Sequence, residues 1–341
     1  MIKGLFGFLL LLLPLLTHCT SSSRKSPPVS SVQIAKGIEV QSIANDGLDA
    51  EFFRRPSNKP QKAVILLGGS EGGKYWSRHE TFIQELIDQG CCVLSLGYFG
   101  TGRLPGQLRS IPLEYFSKAF HWLSMRKEAV IPDDYALIGV SRGAELALLL
   151  GSRFREVKAV VAIAPSSVIF PGSPAGILDA IRGEHSAWSS GGRELAFVPV
   201  PYSWTTLKGM VTGKRTRMFE NALAERLKHK DAAIPVEKVQ GPILLISFTR
   251  DQIWPSTLMA GQIMQRLRDR GFQYQYKHSA YEAGHSEWQI PSCRKEILNY
   301  VREHFLPSSQ NRLPLNSAQG IDSAIDHPSS EKGQGAPDIG R

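Results

Sequence analysis

Four cysteines stand among 341 residues, too few and too scattered for a disulfide framework, and no metal-ligand spacing joins them. A Lys/Arg tract interleaved with aromatics is also missing. The net charge of +9 is instead spread along the chain, which argues against nucleic-acid binding. There is no G-x-x-x-x-G-K-[ST] sequence, so a phosphate-binding P-loop is excluded. Nor does the longest apolar run, Gly4 to Leu16, reach the roughly 20 residues that a membrane-spanning helix needs. What remains is ordinary globular material, 42% hydrophobic and 21% charged, enough for a real core. The length alone allows one large α/β domain or two smaller ones.

The two ends differ from the middle. Lys3 followed by Gly4 to Leu16 has the charge and length of a signal peptide, assigned to residues 1–19. Leu16-Thr17-His18-Cys19 resembles a bacterial lipobox, with His18 where a small residue is usual. The expectation is export, to the periplasm or as a lipoprotein held to the membrane through a lipidated Cys19. An unused signal would leave the protein cytoplasmic, and an uncleaved signal would act as an anchor. Residues 20–35 read as a flexible linker, and residues 307–341, rich in Ser, Pro, Gly, Asn, Gln and Asp, as a disordered tail. Cys91 and Cys92 are neighbours in an apolar run and point to opposite faces of a strand, so they do not pair. With Cys293 they are expected to be buried and reduced.

Between these ends, residues 36–306 are read as one α/β domain. Gly37 to Phe53 alternates apolar and polar residues around Asn45-Asp46-Gly47, the signal of a hairpin. Six short apolar runs follow: Ala63–Leu67, Cys91–Leu96, Tyr135–Val140, Val157–Ile163, Pro242–Phe248 and Phe272–His278. Helical patterns lie among them, with Phe82, Ile83, Leu86 and Ile87 on one face before Gly90, then Leu113, Phe116, Phe120 and Leu123. A final helix carries Ile297, Leu298, Val301 and Phe305. This texture predicts a mainly parallel central sheet flanked by helices. About 166–240 shows no clear strand and includes the basic stretch Lys214-Arg215-Thr216-Arg217, which predicts a cap inserted between two sheet strands.

The strongest chemical signal is Gly139-Val140-Ser141-Arg142-Gly143. A buried run precedes it and the helix-forming Ala144-Glu145-Leu146-Ala147-Leu148-Leu149-Leu150 follows, which predicts a strand–turn–helix elbow with Ser141 as nucleophile. In such a fold the acid and then the histidine come later in the chain. Asp251 follows the run ending at Phe248, and His285 follows the last predicted strand. The imidazole would take the serine proton while the carboxylate fixes its tautomer. His278 is the competing base and Glu282 the competing acid. Oxyanion donors are expected from the backbone N–H of Arg142 and of Ser70 or Glu71, in the loop Gly68-Gly69-Ser70-Glu71-Gly72-Gly73. This chemistry needs no metal and no cofactor.

Those motifs, with Tyr98-Phe99-Gly100, Leu113-Glu114-Tyr115-Phe116, Ile234-Pro235-Val236-Glu237, Asp251-Gln252-Ile253-Trp254-Pro255-Ser256 and Glu282-Ala283-Gly284-His285, resemble the catalytic domain of acyl-CoA thioesterases and bile acid-CoA:amino acid N-acyltransferases. The resemblance runs from about Ala63 to Phe305. It implies an α/β-hydrolase fold and carries the family's triad onto Ser141, Asp251 and His285. The family's amidating members have a cysteine at the elbow where this chain has Ser141, which implies hydrolysis. The family's full N-terminal β-sandwich is represented only by the hairpin before residue 60. An export signal is also at odds with acyl-CoA, a cytosolic metabolite. The expected partner is a small acyl ester or thioester. The other readings are acyl transfer to an amine or alcohol, and a non-catalytic surface lipoprotein that binds a hydrophobic ligand. The basic residues Lys214 and Arg217 read as a solvated face or as a contact to CoA phosphates.

Overall fold

Alternation in the first part of the chain produces two antiparallel strands, β1 (Glu39–Ile43) and β2 (Asp49–Arg54), with Glu39 opposite Arg54 and Ile43 opposite Ala50. The computed structural model describes residues 37–44, 47–173, 184–200, 204–307 and 321–323. The export signal, Cys19, the linker, Asn45-Asp46 of the hairpin turn and most of the tail lie outside these residues. Gly47, at the turn, has φ of +75°, a left-handed backbone conformation that glycine adopts without steric cost.

The elements that follow are β3 (Gln61–Leu67), α1 (Glu80–Asp88), β4 (Cys92–Gly97), β5 (Ile111–Pro112), α2 (Glu114–Ser124), β6 (Val130–Val140), α3 (Arg142–Gly151) and β7 (Val157–Ile163). Next come β8 (Trp188–Ser190), β9 (Arg193–Glu194), α4 (Trp204–Thr212), α5 (Thr216–Ala224), β10 (Ile243–Phe248), α6 (Ser256–Asp269), β11 (Tyr276–Tyr281), α7 (Pro291–Tyr300) and β12 (Ile321–Ser323). Among the described residues one sheet has the order β1-β2-β4-β3-β6-β7-β10-β11-β12. From β4 onward its strands run parallel, and β2 joins β4 antiparallel. The hairpin is therefore the antiparallel margin of the main sheet.

The parallel strands are the apolar runs because helices cover both faces and leave no polar side. All six residues of β10, Ile-Leu-Leu-Ile-Ser-Phe, are buried. Each such Leu or Ile contributes roughly 1.5–3 kcal/mol relative to an exposed one. Two strands differ from expectation. β6 begins at Val130, five residues early, because the polar Pro132-Asp133-Asp134 stretch is carried through a register shift, with Asp133 at φ of +57°. β11 begins at Tyr276, four residues late. The Phe272 ring packs against those of Tyr274 and Tyr276, tilted to the first and edge-on to the second, at 5.6 and 5.8 Å, so the apolar character before β11 belongs to a packed loop.

Cys91, Cys92 and Cys293 are free and buried, and burial pushes the thiols of Cys91 and Cys92 up to about 12. Within the stretch read as a tail, Ile321–Ser323 pairs with β11 in parallel, Lys277 opposite Ile321. Between β7 and β10 the chain leaves the main sheet. It contributes β8 and β9 to a small sheet with β5, then α4 and α5. Strands of two or three residues are too short to announce themselves by alternation. A second apolar cluster lies here, built from Val168, Phe170, Val198, Val200, Met218, Ala222, Leu223, Ala232, Trp254 and Met259.

Candidate active site

The elbow begins as a packing problem at two glycines. A Cβ on Gly139 would collide with the carbonyl oxygen of Gly143, and a Cβ on Gly143 would collide with those of Leu67 and Gly68. Only hydrogen at these positions lets α3 cross so near β6 and β3. Between them Ser141 takes φ of +56° and ψ of −118°, a conformation costing about 1–3 kcal/mol for a residue with a side chain. Its N–H donates to Ile163 O at 2.8 Å, and its carbonyl accepts from Ala144 and Glu145 at 2.9 and 3.1 Å. The hydroxyl is thereby held at the start of a helix, above the C-terminal edge of the sheet.

His285 and Asp251 arrive from the same edge, after β11 and β10. Asp251 Oδ1 accepts the N–H groups of Ile253 and Trp254 at 2.9 and 3.1 Å. Its Oδ2 accepts the Ser256 hydroxyl at 2.7 Å and lies 2.8 Å from His285 Nδ1. A carboxylate so surrounded by donors stays an acceptor, so Nδ1 carries the imidazole proton and Nε2 has a free lone pair. That Nε2 is 2.8 Å from Ser141 Oγ. The three side chains thus form one continuous hydrogen-bonded chain, shielded from water: the Asp251 side chain is 2% exposed and that of His285 11%. Trp254 stands edge-on to the imidazole at 5.9 Å between ring centres, and its indole N–H donates to Ala164 O at 3.2 Å.

The two competitors go elsewhere. His278 lies within β11, where its Nε2 meets Ser247 Oγ at 2.8 Å. Glu282 is at the surface, 3.4 Å from Arg250. Glu282→Gln is accordingly expected to leave the turnover at this site within about twofold of the parent, as for surface changes away from special features. A loss of a hundredfold in steady-state turnover would return Glu282 to the site.

The glycine-rich loop meets the serine through Gly69. A Cβ there would lie 3.2 Å from Ser141 Cβ and 2.6 Å from Glu71 Oε2. Tyr98 donates its hydroxyl to Gly68 O at 2.6 Å, and Gly73 N–H donates to Phe99 O at 2.8 Å. Ser70 and Glu71 are exposed at the loop's turn, and the Glu71 carboxylate folds back over Gly69. Arg142 is the first residue of α3, so its N–H has no intrahelical acceptor. The loop is braced against the histidine's own loop: Trp288 donates its indole N–H to Tyr75 Oη at 3.1 Å and packs on Trp76, His79 and Phe82.

Three supporting groups escape a reading of the sequence. Ser256 could have been found as a hydroxyl five residues after the acid at a helix start. Trp254 and Trp288, near Asp251 and His285 in the chain, carry no motif that assigns them a partner. The basic stretch around Lys214 is exposed, and Arg217 pairs with Glu220 at 3.1 Å. Among the described residues no cluster of His, Cys, Asp and Glu could hold a metal ion.

Comparison with known proteins gives three findings. A family model described as BAAT / Acyl-CoA thioester hydrolase C terminal matches residues 111–304. Acyl-coenzyme A amino acid N-acyltransferase 2 of Rattus norvegicus is 27% identical over 259 residues, 74% of this chain and 56% of its own length. Acyl-coenzyme A thioesterase 1 of Mus musculus is 26% identical over 240 residues, 70% of this chain and 51% of its own length. The chain spans about half the length of these curated relatives. Among solved structures, a puromycin-hydrolyzing peptidase of Mycobacterium tuberculosis superposes with a TM-score of 0.55 at 13% identity, over 86% of this chain and 42% of that one. The Pyrococcus furiosus esterase Pf2001 superposes with a TM-score of 0.52 at 15% identity, over 79% and 93%. At these identities the likeness is one of fold, the α/β-hydrolase fold.

Proposed function

The chain belongs to the BAAT / acyl-CoA thioester hydrolase C-terminal family, and on that premise we propose that it hydrolyses an acyl thioester or carboxyl ester through an acyl-serine at Ser141. The observation that carries the proposal is the hydrogen-bonded chain Ser141–His285–Asp251, 2.8 Å at each step. Ser141 Oγ attacks the acyl carbonyl carbon as its proton passes to His285 Nε2. The carbonyl oxygen becomes an oxyanion that accepts from the N–H of Arg142 and from that of Ser70 or Glu71. The imidazolium, stabilised by Asp251, protonates the departing sulfur or oxygen. The same imidazole then takes a proton from water, whose oxygen attacks the acyl-serine carbonyl; the acyl–Oγ bond breaks, the imidazolium returns the proton to Ser141 Oγ, and the carboxylic acid is released. The inserted segment between β7 and β10 reaches the site through Phe170, whose ring is 6.0 Å from that of Trp254, in the loop after β10, which in turn stands 5.9 Å from His285; these aromatic residues form the wall that receives the acyl group.

A second reading is acyl transfer to an amine, favoured by relatives named as amino acid N-acyltransferases. An acyl-serine is an oxygen ester and yields less readily to an amine than a thioester on cysteine would, so water is the expected acceptor. The discriminating experiment measures turnover of an acyl-CoA and a short aryl ester side by side, each with and without added glycine, and quantifies free acid and acylglycine. Free acid is expected to dominate in every arm. Acylglycine exceeding free acid would move the assignment to transfer, and turnover of the aryl ester alone would remove the CoA thioester from the proposal.

A further inference from the structure

Arg142 and Glu145 come one turn apart on α3, directly after the nucleophile, and both side chains turn inward. Their exposures are 8% and 0%. Arg142 Nη1 donates to Glu145 Oε2 at 2.9 Å, while Nη2 donates to the carbonyls of Phe170 and Pro171 at 3.1 and 3.0 Å. Glu145 Oε1 accepts the Trp188 indole N–H at 2.6 Å, and its Oε2 accepts the N–H of Phe170 at 3.4 Å. Phe170 lies where the inserted segment departs from β7, and Trp188 is the first residue of β8, farther along the same segment. The ion pair therefore grips the insert at two points and ties both to the helix whose first N–H faces the oxyanion.

A buried ion pair is a costly way to hold a helix to a loop. Removing two charges from water carries a desolvation penalty that apolar packing would avoid, so stability alone does not account for it. What the pair supplies is geometry. A guanidinium fork with three acceptors, and a carboxylate with three donors, admit one arrangement of the groups around them. Phe170 then meets Trp254, and Trp254 meets His285, so the restraint reaches both sides of the reacting centre.

We infer that Arg142 and Glu145 are a positioning pair, which fixes the insert's wall and the Arg142 N–H relative to Ser141 and so sets turnover. The inference rests on Ser141 being the nucleophile. Side-chain substitution at 142 leaves the backbone N–H in place, so any loss of turnover reports where that N–H and the wall now stand. The test uses two variants of the full chain, Glu145→Gln and the double variant Arg142→Met/Glu145→Gln. The amide oxygen introduced by Glu145→Gln keeps an acceptor for Trp188. The double variant also removes the charge that the single one strands.

Thermal unfolding is measured with kcat and KM on a short aryl ester. Both variants are expected to lose kcat by about tenfold to a hundredfold, the scale of a small misplacement at a reacting centre, with KM nearly unchanged. The double variant should regain the unfolding temperature that the single one loses, without regaining kcat. If kcat returns together with the unfolding temperature, or if the loss falls on KM alone, the pair is structural and the inference is overturned. Fluorophosphonate labelling of the parent chain separates the two layers: a parent that does not label at Ser141 refutes the nucleophile. A parent that labels, with variants as fast as itself, refutes only the positioning pair.

Discussion

Ser141→Ala is expected to lower kcat for a short aryl ester by about a millionfold, the scale seen when a triad serine is removed, while the protein remains folded. The loss is chemical. Alanine at φ of +56° keeps the elbow's backbone, its N–H bond to Ile163 O and the two bonds its carbonyl accepts. Only the hydroxyl's bond to His285 Nε2 disappears. His285→Ala should match it, and the double variant should be little worse than either single one, because the groups act as a unit. Asp251→Asn is expected to fall about 10⁴-fold. Its amide can donate to the imidazole and select the wrong tautomer, and its oxygen can no longer serve the Ile253, Trp254 and Ser256 donors as a carboxylate does. Circular dichroism and steady-state kinetics on the same preparations check all four.

Gly143→Ala should do the reverse and damage the fold before the chemistry can be read. The added methyl would meet the backbone oxygens of Leu67 and Gly68, at the end of a central strand with no flexible side chain to give way. α3 would have to lift, carrying Ser141 and Arg142 with it. The expected cost is about 3 kcal/mol or more, a large part of the roughly 5–15 kcal/mol typical of a whole domain. Gly106→Ala is the control, since a Cβ there meets nothing within 4 Å. Differential scanning calorimetry should show a large drop for Gly143→Ala and almost none for Gly106→Ala. Equal drops would mean that close approach is not what selects glycine at the elbow.

The parts legible in the sequence share a physical cause. Buried parallel strands must be apolar throughout, so Val157–Ile163 and Ile243–Phe248 stand out from any neighbourhood. An elbow that brings strand and helix so close must place glycines at 139 and 143. The three residues of the proposed triad lie at the ends of strands, so chain order brings them to one edge, and the structure joins Ser141, His285 and Asp251 there by hydrogen bonds. What could not be read depends on partners distant in the chain. Nothing local tells β2 that it will pair with β4. The aromatic residues at 272 and 274 look like strand because packing in a loop and packing in a sheet both select for them. Nothing in the helix-forming run after Ser141 tells that the side chains of Arg142 and Glu145 are buried, because the insert that covers them comes later in the chain. Long-range burial inverts the meaning of a charged residue, and sequence alone does not carry that information.

The central claim is that Ser141 is the nucleophile, and active-site labelling tests it most directly. The protein is treated with a fluorophosphonate, and the adduct is counted by intact-mass spectrometry and located by peptide mapping. One adduct per chain on Ser141, absent from the Ser141→Ala protein, is the predicted result. An adduct that persists in Ser141→Ala, or maps to another residue of the parent chain, would contradict it.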